Sequence, residues 1–233
     1  MIEDGDRIAV GVSGGADSLF LLWILTQRLP RIPIHYDLVA LHVDPGFEGG
    51  FGEALQAHAL DQGHRLQLVG SDCGVKAHSP ENRENPCFLC SRLKRKRLFE
   101  VAVENGCNKL ALGHNRDDII ETLFINICYA GEISTMKPVQ PFFNGEITLI
   151  RPLAFSDEPD IRRFAREAHF PDFSNPCPSA GRTKRQEIKT LLNQLYRRNR
   201  KVKGNIFRSM SHVRTDYLLT PEATPALDGQ RPK

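Results

Sequence analysis

A chain of 233 residues, 40% apolar and 25% charged, has an ordinary globular balance and is long enough for one α/β domain with an appendage or for two small domains. No apolar run reaches the roughly 20 residues of a membrane span. The start Met1-Ile2-Glu3-Asp4-Gly5-Asp6 is acidic, unlike a secretory signal, so a cytoplasmic location is expected, with the six cysteines as thiols or metal ligands rather than disulfides. The formal net charge of +3 conceals two basic clusters. One is Arg92 to Arg97; the other runs from Arg182 to Lys203 with Glu187 as its sole acid. Each reads as a solvated helix face when taken alone, and together they suit a polyanion.

The first predicted strand is residues 8–12 and the first helix is 18–27. Between them lies Ser13-Gly14-Gly15-Ala16-Asp17-Ser18. A Gly-rich turn from strand to helix converges backbone N–H groups at the positive end of the helix dipole, and Ser13 and Ser18 add hydroxyls, so the turn reads as a phosphate cradle. The plain alternative is an ordinary strand-to-helix turn. No Lys completes a Walker A loop, and the glycine spacing is not that of a dinucleotide fold. Further strands are predicted at 36–43, 65–69 and 109–113, and helices at 51–62, 90–105 and 117–129, with no clear element between Ser71 and Pro86. Such alternation gives an α/β fold, a doubly wound parallel sheet with ligands beyond the carboxyl ends of the strands, where the cradle, Asp44 and Gly113-His114 all fall.

After Ala130 the pattern changes: Asn144-Gly145 marks a hairpin turn and 147–150 a last strand. Ser156 is expected to cap a helix running to about His169. A loop at 170–181, helices at 182–196 and 205–213, and a Pro-rich, polar, disordered tail from Pro221 complete the reading. The organisation expected is an α/β domain over 1–155 with a cysteine-bearing insertion near 71–90, a basic helical region over 156–213, and a tail over 214–233.

Cys87-Phe88-Leu89-Cys90 opens a predicted helix, and Cys177 lies far downstream in a loop. One CxxC suits zinc, an iron–sulfur cluster or a redox pair. A structural zinc site needs a fourth ligand. Cys107 and Cys128 read as buried apolar residues, whereas Cys73 stays open as a ligand.

The cradle resembles the SGGxDS loop of the PP-loop ATP pyrophosphatases. The cradle, the CxxC, the run Gly113-His114-Asn115-Arg116-Asp117-Asp118, Ile150-Arg151-Pro152-Leu153 and the late Cys177, in that order, are similar to the tRNA 2-thiocytidine synthetase (TtcA) group up to about residue 213. The resemblance implies a PP-loop fold in which Ser13, Gly14, Gly15, Asp17 and Ser18 hold ATP, with Mg²⁺ at Asp17. His42, at the adenine end, and Gly113 and His114 would complete that site. Asp118 and Asp117 would bind Mg²⁺ or accept a proton. It also implies a 4Fe-4S cluster on Cys87, Cys90 and Cys177, whose open iron presents sulfide to an adenylated base, which gives Cys177 a catalytic part. tRNA would be the partner, its phosphates engaged by Lys184, Arg185, Arg197, Arg198 and Lys201. A cysteine desulfurase or free sulfide would supply sulfur, and a homodimer is expected. Ala16 stands where the group usually has Lys, and Lys184 or Arg185 are candidates to replace that charge. The competing readings are a tRNA lysidine synthetase-like ligase, a non-catalytic iron–sulfur or RNA-binding module, and a small-molecule sulfur enzyme.

Overall fold

The computed structural model describes residues 1–173, 176–179, 181 and 183–219. The chain divides into two compact units, Met1–Leu191 and Leu192–Lys233. In the first unit six strands form one sheet: β1 (Asp6–Gly11), β2 (Tyr36–Asp44), β3 (Leu66–Gly70), β4 (Lys109–Leu112), β5 (Val139–Phe142) and β6 (Ile147–Ile150). Their order is β3-β2-β1-β4-β6-β5, all parallel except β5, which runs antiparallel to β6 along the edge. Asn144 and Gly145, at φ 56° and 95°, turn that hairpin. The parallel strands read as continuous apolar runs because both faces are covered. On one face Ile8 and Val10 of β1 pack with Leu22 and Leu25 of α1 (Ala16–Arg28), Leu55 of α2 (Gly52–Asp61) and Ile161 of α6 (Glu158–Glu167). On the other, Ala9, Leu41 and Leu110 pack with Phe99 and Ala102 of α4 (Pro86–Glu104).

Several boundaries depart from the sequence reading. The polar stretch after Ser71 contains a short helix, α3 (Cys73–Ala77), packed on α4. α4 begins at Pro86, four residues earlier than the 90–105 expected, because Asn85 accepts hydrogen bonds from the Cys87 and Phe88 amides and Pro86 fits the first helical position. α5 (Arg116–Ile125) gives way to a wider turn, Asn126–Ala130, that ends on Gly131 in the left-handed region. Asp157 rather than Ser156 precedes α6, since the Ser156 carbonyl already accepts from the Arg116 amide at 3.0 Å. Cys128 is exposed, correcting the expectation that it is buried; Cys107 is buried as expected. α7 (Lys184–Arg198) runs across the boundary between the units. The second unit adds α8 (Lys201–Ser209) and a single turn at Thr215–Tyr217. No helix among the described residues is long and apolar enough to cross a membrane. Arg182 and the expected disordered tail from Pro221 lie outside the described residues.

Candidate active site

Strand order reverses between β1 and β4, and a crevice opens there beyond their carboxyl ends. It holds a cavity of about 240 Å³. Val12 and Ser13 after β1, Gly113 and His114 after β4, Asp17 and Ser18 of α1, Lys94 of α4 and Asp118 of α5 are among its lining residues. The cradle is prebuilt. The Ser18 hydroxyl accepts from the Ser13 amide at 3.0 Å and donates to the Gly15 carbonyl at 2.8 Å, while the Ser13 hydroxyl reaches Ser18 Oγ at 3.2 Å. Gly14 takes φ 86°, and a Cβ on it would meet the Phe51 ring at 2.6 Å, so only glycine fits there. Gly15 then caps α1, whose 13 residues point their positive end into the cavity rim.

Three acids near the cradle play different parts. Asp17 Oδ1 accepts from Asn115 Nδ2 at 2.9 Å, and burial raises its carboxyl from the ordinary value. Asp118 closes a capping box at the start of α5: its amide donates to Asn115 Oδ1 and its Oδ2 accepts from the Asn115 amide. Its Oδ1 accepts from Arg185 Nη1 at 3.1 Å, and burial still pushes its carboxyl up. Asp117 turns the other way, accepting from the Glu158 amide at 2.9 Å at the start of α6.

The two histidines differ as well. His42 is buried beneath the cradle, where its Nδ1 donates to the Val12 carbonyl at 2.7 Å, and burial lowers its basicity. It does not line the cavity. His114 does, and its Nδ1 accepts from Arg151 Nε at 3.2 Å.

α4 joins this cavity to the thiols. Cys87, Cys90, Lys94 and Leu98 fall on one stripe of the helix, at spacings of three and four, and its last two members line the cavity. Cys90 and Cys73 of α3 are close enough to act on one another, which holds the Cys73 thiol below its ordinary value, helped by Ser71. The same neighbour and burial raise the Cys90 thiol. Cys177 lies close enough for its charge to act on Cys90. Its loop is tied to α3: the Ser179 hydroxyl donates to His78 Nε2 at 2.7 Å, Cys177 Sγ lies 3.9 Å from the same nitrogen, and His78 Nδ1 donates to the Gly74 carbonyl at 2.9 Å. Among the described residues no three His, Cys, Asp or Glu side chains are grouped closely enough to hold a metal ion. A single zinc needs its thiolates within about 4 Å of one another. A cubane spreads them over different irons, so a soft thiolate set at the mouth of a helix N-terminus fits an iron–sulfur cluster in kind.

Residues 3–195 match the PP-loop domain family. The chain belongs to the PP-loop family. It is 40% identical to a tRNA-cytidine(32) 2-sulfurtransferase of Geobacter metallireducens over 95% of this chain and 88% of that one. It is 39% identical to the protein of the same name from Syntrophotalea carbinolica, over 94% and 86%. Among solved structures, the U34-tRNA thiolase NcsA from Methanococcus maripaludis, with its 4Fe-4S cluster, superimposes with a TM-score of 0.75 at 25% identity over 90% of this chain and 72% of that one.

The PP-loop cavity thus gathers Ser13, Asp17, Ser18, Gly113, His114 and Asp118 from the residues expected, while Gly14 and Gly15 shape its loop. His42 and Asp117 support neighbouring backbone instead. Arg185 points inward, its Nη1 donating also to Glu121 at 2.9 Å, and Lys184 lies 4.2 Å from the Tyr129 ring centre. Neither lines the PP-loop cavity; the lining residue that carries a positive charge is Lys94. Arg197, Arg198 and Lys201, in the second unit, are exposed. Lys94, Asn115 and Arg151 were missed from sequence. The Asn-x-x-Asp spacing of Asn115 and Asp118 is a capping-box signal that pointed to Asn115. The stripe from Cys87 through Cys90 pointed to Lys94.

Proposed function

We propose that this chain is an ATP-dependent tRNA sulfurtransferase, which adenylates C2 of a tRNA cytidine and replaces the oxygen there with sulfur. The carrying observation is α4: Cys90 and Lys94 are four residues apart, so the thiol site and the nucleotide cavity are separated by about 6 Å along one helix. An adenylated base made in the cavity forms within reach of the thiols. The cradle and Lys94 bind the ATP phosphates, and Asp17 would hold Mg²⁺, whose chemistry there is to neutralise phosphate charge. The C2 oxygen attacks the α-phosphorus and pyrophosphate leaves; hydrosulfide then adds at C2 and AMP departs with the oxygen. Cys87, Cys90 and Cys177 would hold a 4Fe-4S cluster, whose chemistry there is to keep one iron free for a sulfide. Asp118, fixed by Asn115 and Arg185, stands at the cavity wall to receive a proton or to ligate the metal. Arg197, Arg198 and Lys201 meet tRNA phosphates, and Arg185 orders Asp118 and Glu121 instead. The sulfur comes from a cysteine desulfurase or free sulfide, and the homodimer rests on the resemblance alone.

The test is anaerobic purification with iron analysis and an absorption spectrum, together with mass spectrometry of tRNA nucleosides from a strain lacking the protein. The expected result is a cluster that is lost in Cys177→Ala and a thiolated cytidine absent from the strain. Unchanged thiolated nucleosides, or a Cys177→Ala protein that keeps full activity as a lysidine-type ligase would, overturn the reading.

A further inference from the structure

Arg151 follows β6 and is only 3% exposed. No carboxylate is among its partners in the described residues: Nε donates to His114 Nδ1 at 3.2 Å and Nη1 donates to the Lys137 carbonyl. The charged neighbour that acts on it is Arg95, which adds repulsion. Burying an uncompensated guanidinium costs several kcal/mol, so folding alone does not favour this residue. What it touches is a wall of the PP-loop cavity.

The chemistry of the contact fixes a proton. A guanidinium has five donors and no acceptor, so the nitrogen facing it must accept. His114 Nδ1 is therefore unprotonated, and the ring proton sits on Nε2. The surroundings oppose a second proton: burial first, then the cations Arg151 after β6, Arg185 on α7 and Arg95 on α4 push His114 down to about 3.

We infer that Arg151 is a positioning residue that locks His114 in its Nε2–H tautomer, so that the PP-loop cavity carries a fixed neutral N–H donor for the phosphoryl oxygens of ATP. This rests on the reading of the cavity as a nucleotide site. A neutral donor stabilises charge gathering on the α-phosphoryl oxygens without passing a proton. One such preorganised donor is worth about 10²–10³-fold in turnover. The lock also accounts for the Arg of Ile150-Arg151-Pro152-Leu153, whose charge sits behind His114 on a cavity that has Ala16 in its cradle in place of Lys.

The test is a long-range ¹H–¹⁵N spectrum of the full chain labelled at histidine, with His114 assigned by its loss in His114→Gln. The expected spectrum shows Nε2 protonated and Nδ1 bare, unchanged from about pH 5.5 to 8, where an ordinary histidine titrates. In Arg151→Met the His114 signals should become a tautomer mixture or titrate in that window. A wild-type His114 that carries its proton on Nδ1 or titrates in the window overturns the lock, as does an Arg151→Met spectrum identical to wild type. If Arg151→Met does not fold, the wild-type spectrum and Arg151→Lys decide. In ATP–pyrophosphate exchange, His114→Ala should lose about 10²–10³-fold and His114→Gln, which keeps an N–H donor, should recover part of it. A locked tautomer in a protein that binds no ATP would refute the nucleotide reading and leave the lock standing, whereas a titrating His114 in an ATP-binding protein would refute the lock alone.

Discussion

Gly113→Ala tests how closely β4 and α1 must approach to make the site. Gly113 follows β4 and backs onto the first turn of α1, where an added Cβ would stand 3.0 Å from the carbonyl carbon and oxygen of Asp17 and 3.1 Å from the Ser18 nitrogen. Comfortable contacts lie at about 3.5–4.0 Å. All three atoms are backbone, so no side chain can swing aside, and the start of α1 must shift by about half an ångström. Overpacking of this kind costs about 1–3 kcal/mol. At about 2–4 °C per kcal/mol for a domain of this size, the melting temperature should fall by roughly 2–12 °C. The displaced turn carries Asp17 and Ser18, so ATP–pyrophosphate exchange should weaken too, by up to about 10²-fold if the phosphates move by an ångström. Gly70→Ala is the control, since a Cβ there meets nothing within 4 Å. A Gly113→Ala protein that melts within a degree of wild type and keeps its KM for ATP would refute the close-approach argument.

Lys94→Met should raise the KM for ATP about ten- to a hundredfold with little change in melting temperature, because a charge about 5 Å from a phosphate is worth at most roughly 3 kcal/mol at an effective dielectric of 20. An unchanged KM would return the question of the missing cradle lysine to other cations. Asn115→Ala removes the α5 cap and the donor to Asp17 together. It should cost about 0.5–2 kcal/mol in denaturant titrations and weaken the Mg²⁺ dependence of exchange. Asp6→Asn breaks a buried pair with Lys109 Nζ at 2.6 Å, a loss of about 3–5 kcal/mol at neutral pH. Burial alone would raise the Asp6 carboxyl, but hydrogen bonds from Lys109, the Glu3 amide and Asn108 hold it below its ordinary 3.8. A depressed folded value stabilises above the unfolded one and is lost as pH falls through it, so the gap between wild type and Asp6→Asn should be full at neutral pH and shrink below about pH 4 in pH-dependent unfolding. A gap that does not change with pH would contradict the pairing.

The motifs were readable in sequence because each is local. Ser13 to Ser18 is one turn with a fixed backbone need at Gly14, and Cys87 with Cys90 is one turn of one helix. The short helix at Cys73 was hidden because five residues carry no apolar period; its stability comes from packing on α4. Ser156 looked like the better cap for α6, but its carbonyl was claimed by Arg116, from 40 residues earlier in the chain. Arg185 looked like a nucleic-acid contact because charge in a sequence has no direction; the fold turned it onto Asp118 and Glu121.

The sequence by itself determined the α/β class, the phosphate cradle, the three cysteines and the order in which they come, since strand and helix periods, turn glycines and motif spacings are properties of neighbours along the chain. Only the tertiary structure decided which acids face the cavity, that Lys94 lines it, that Cys73 comes beside Cys90, and that Arg151 stands behind His114. Those pairings join residues 17 to 98 positions apart, between elements that a parallel sheet brings side by side through its crossovers. Local periodicity says which face of an element is apolar; the crossover order decides what that face meets.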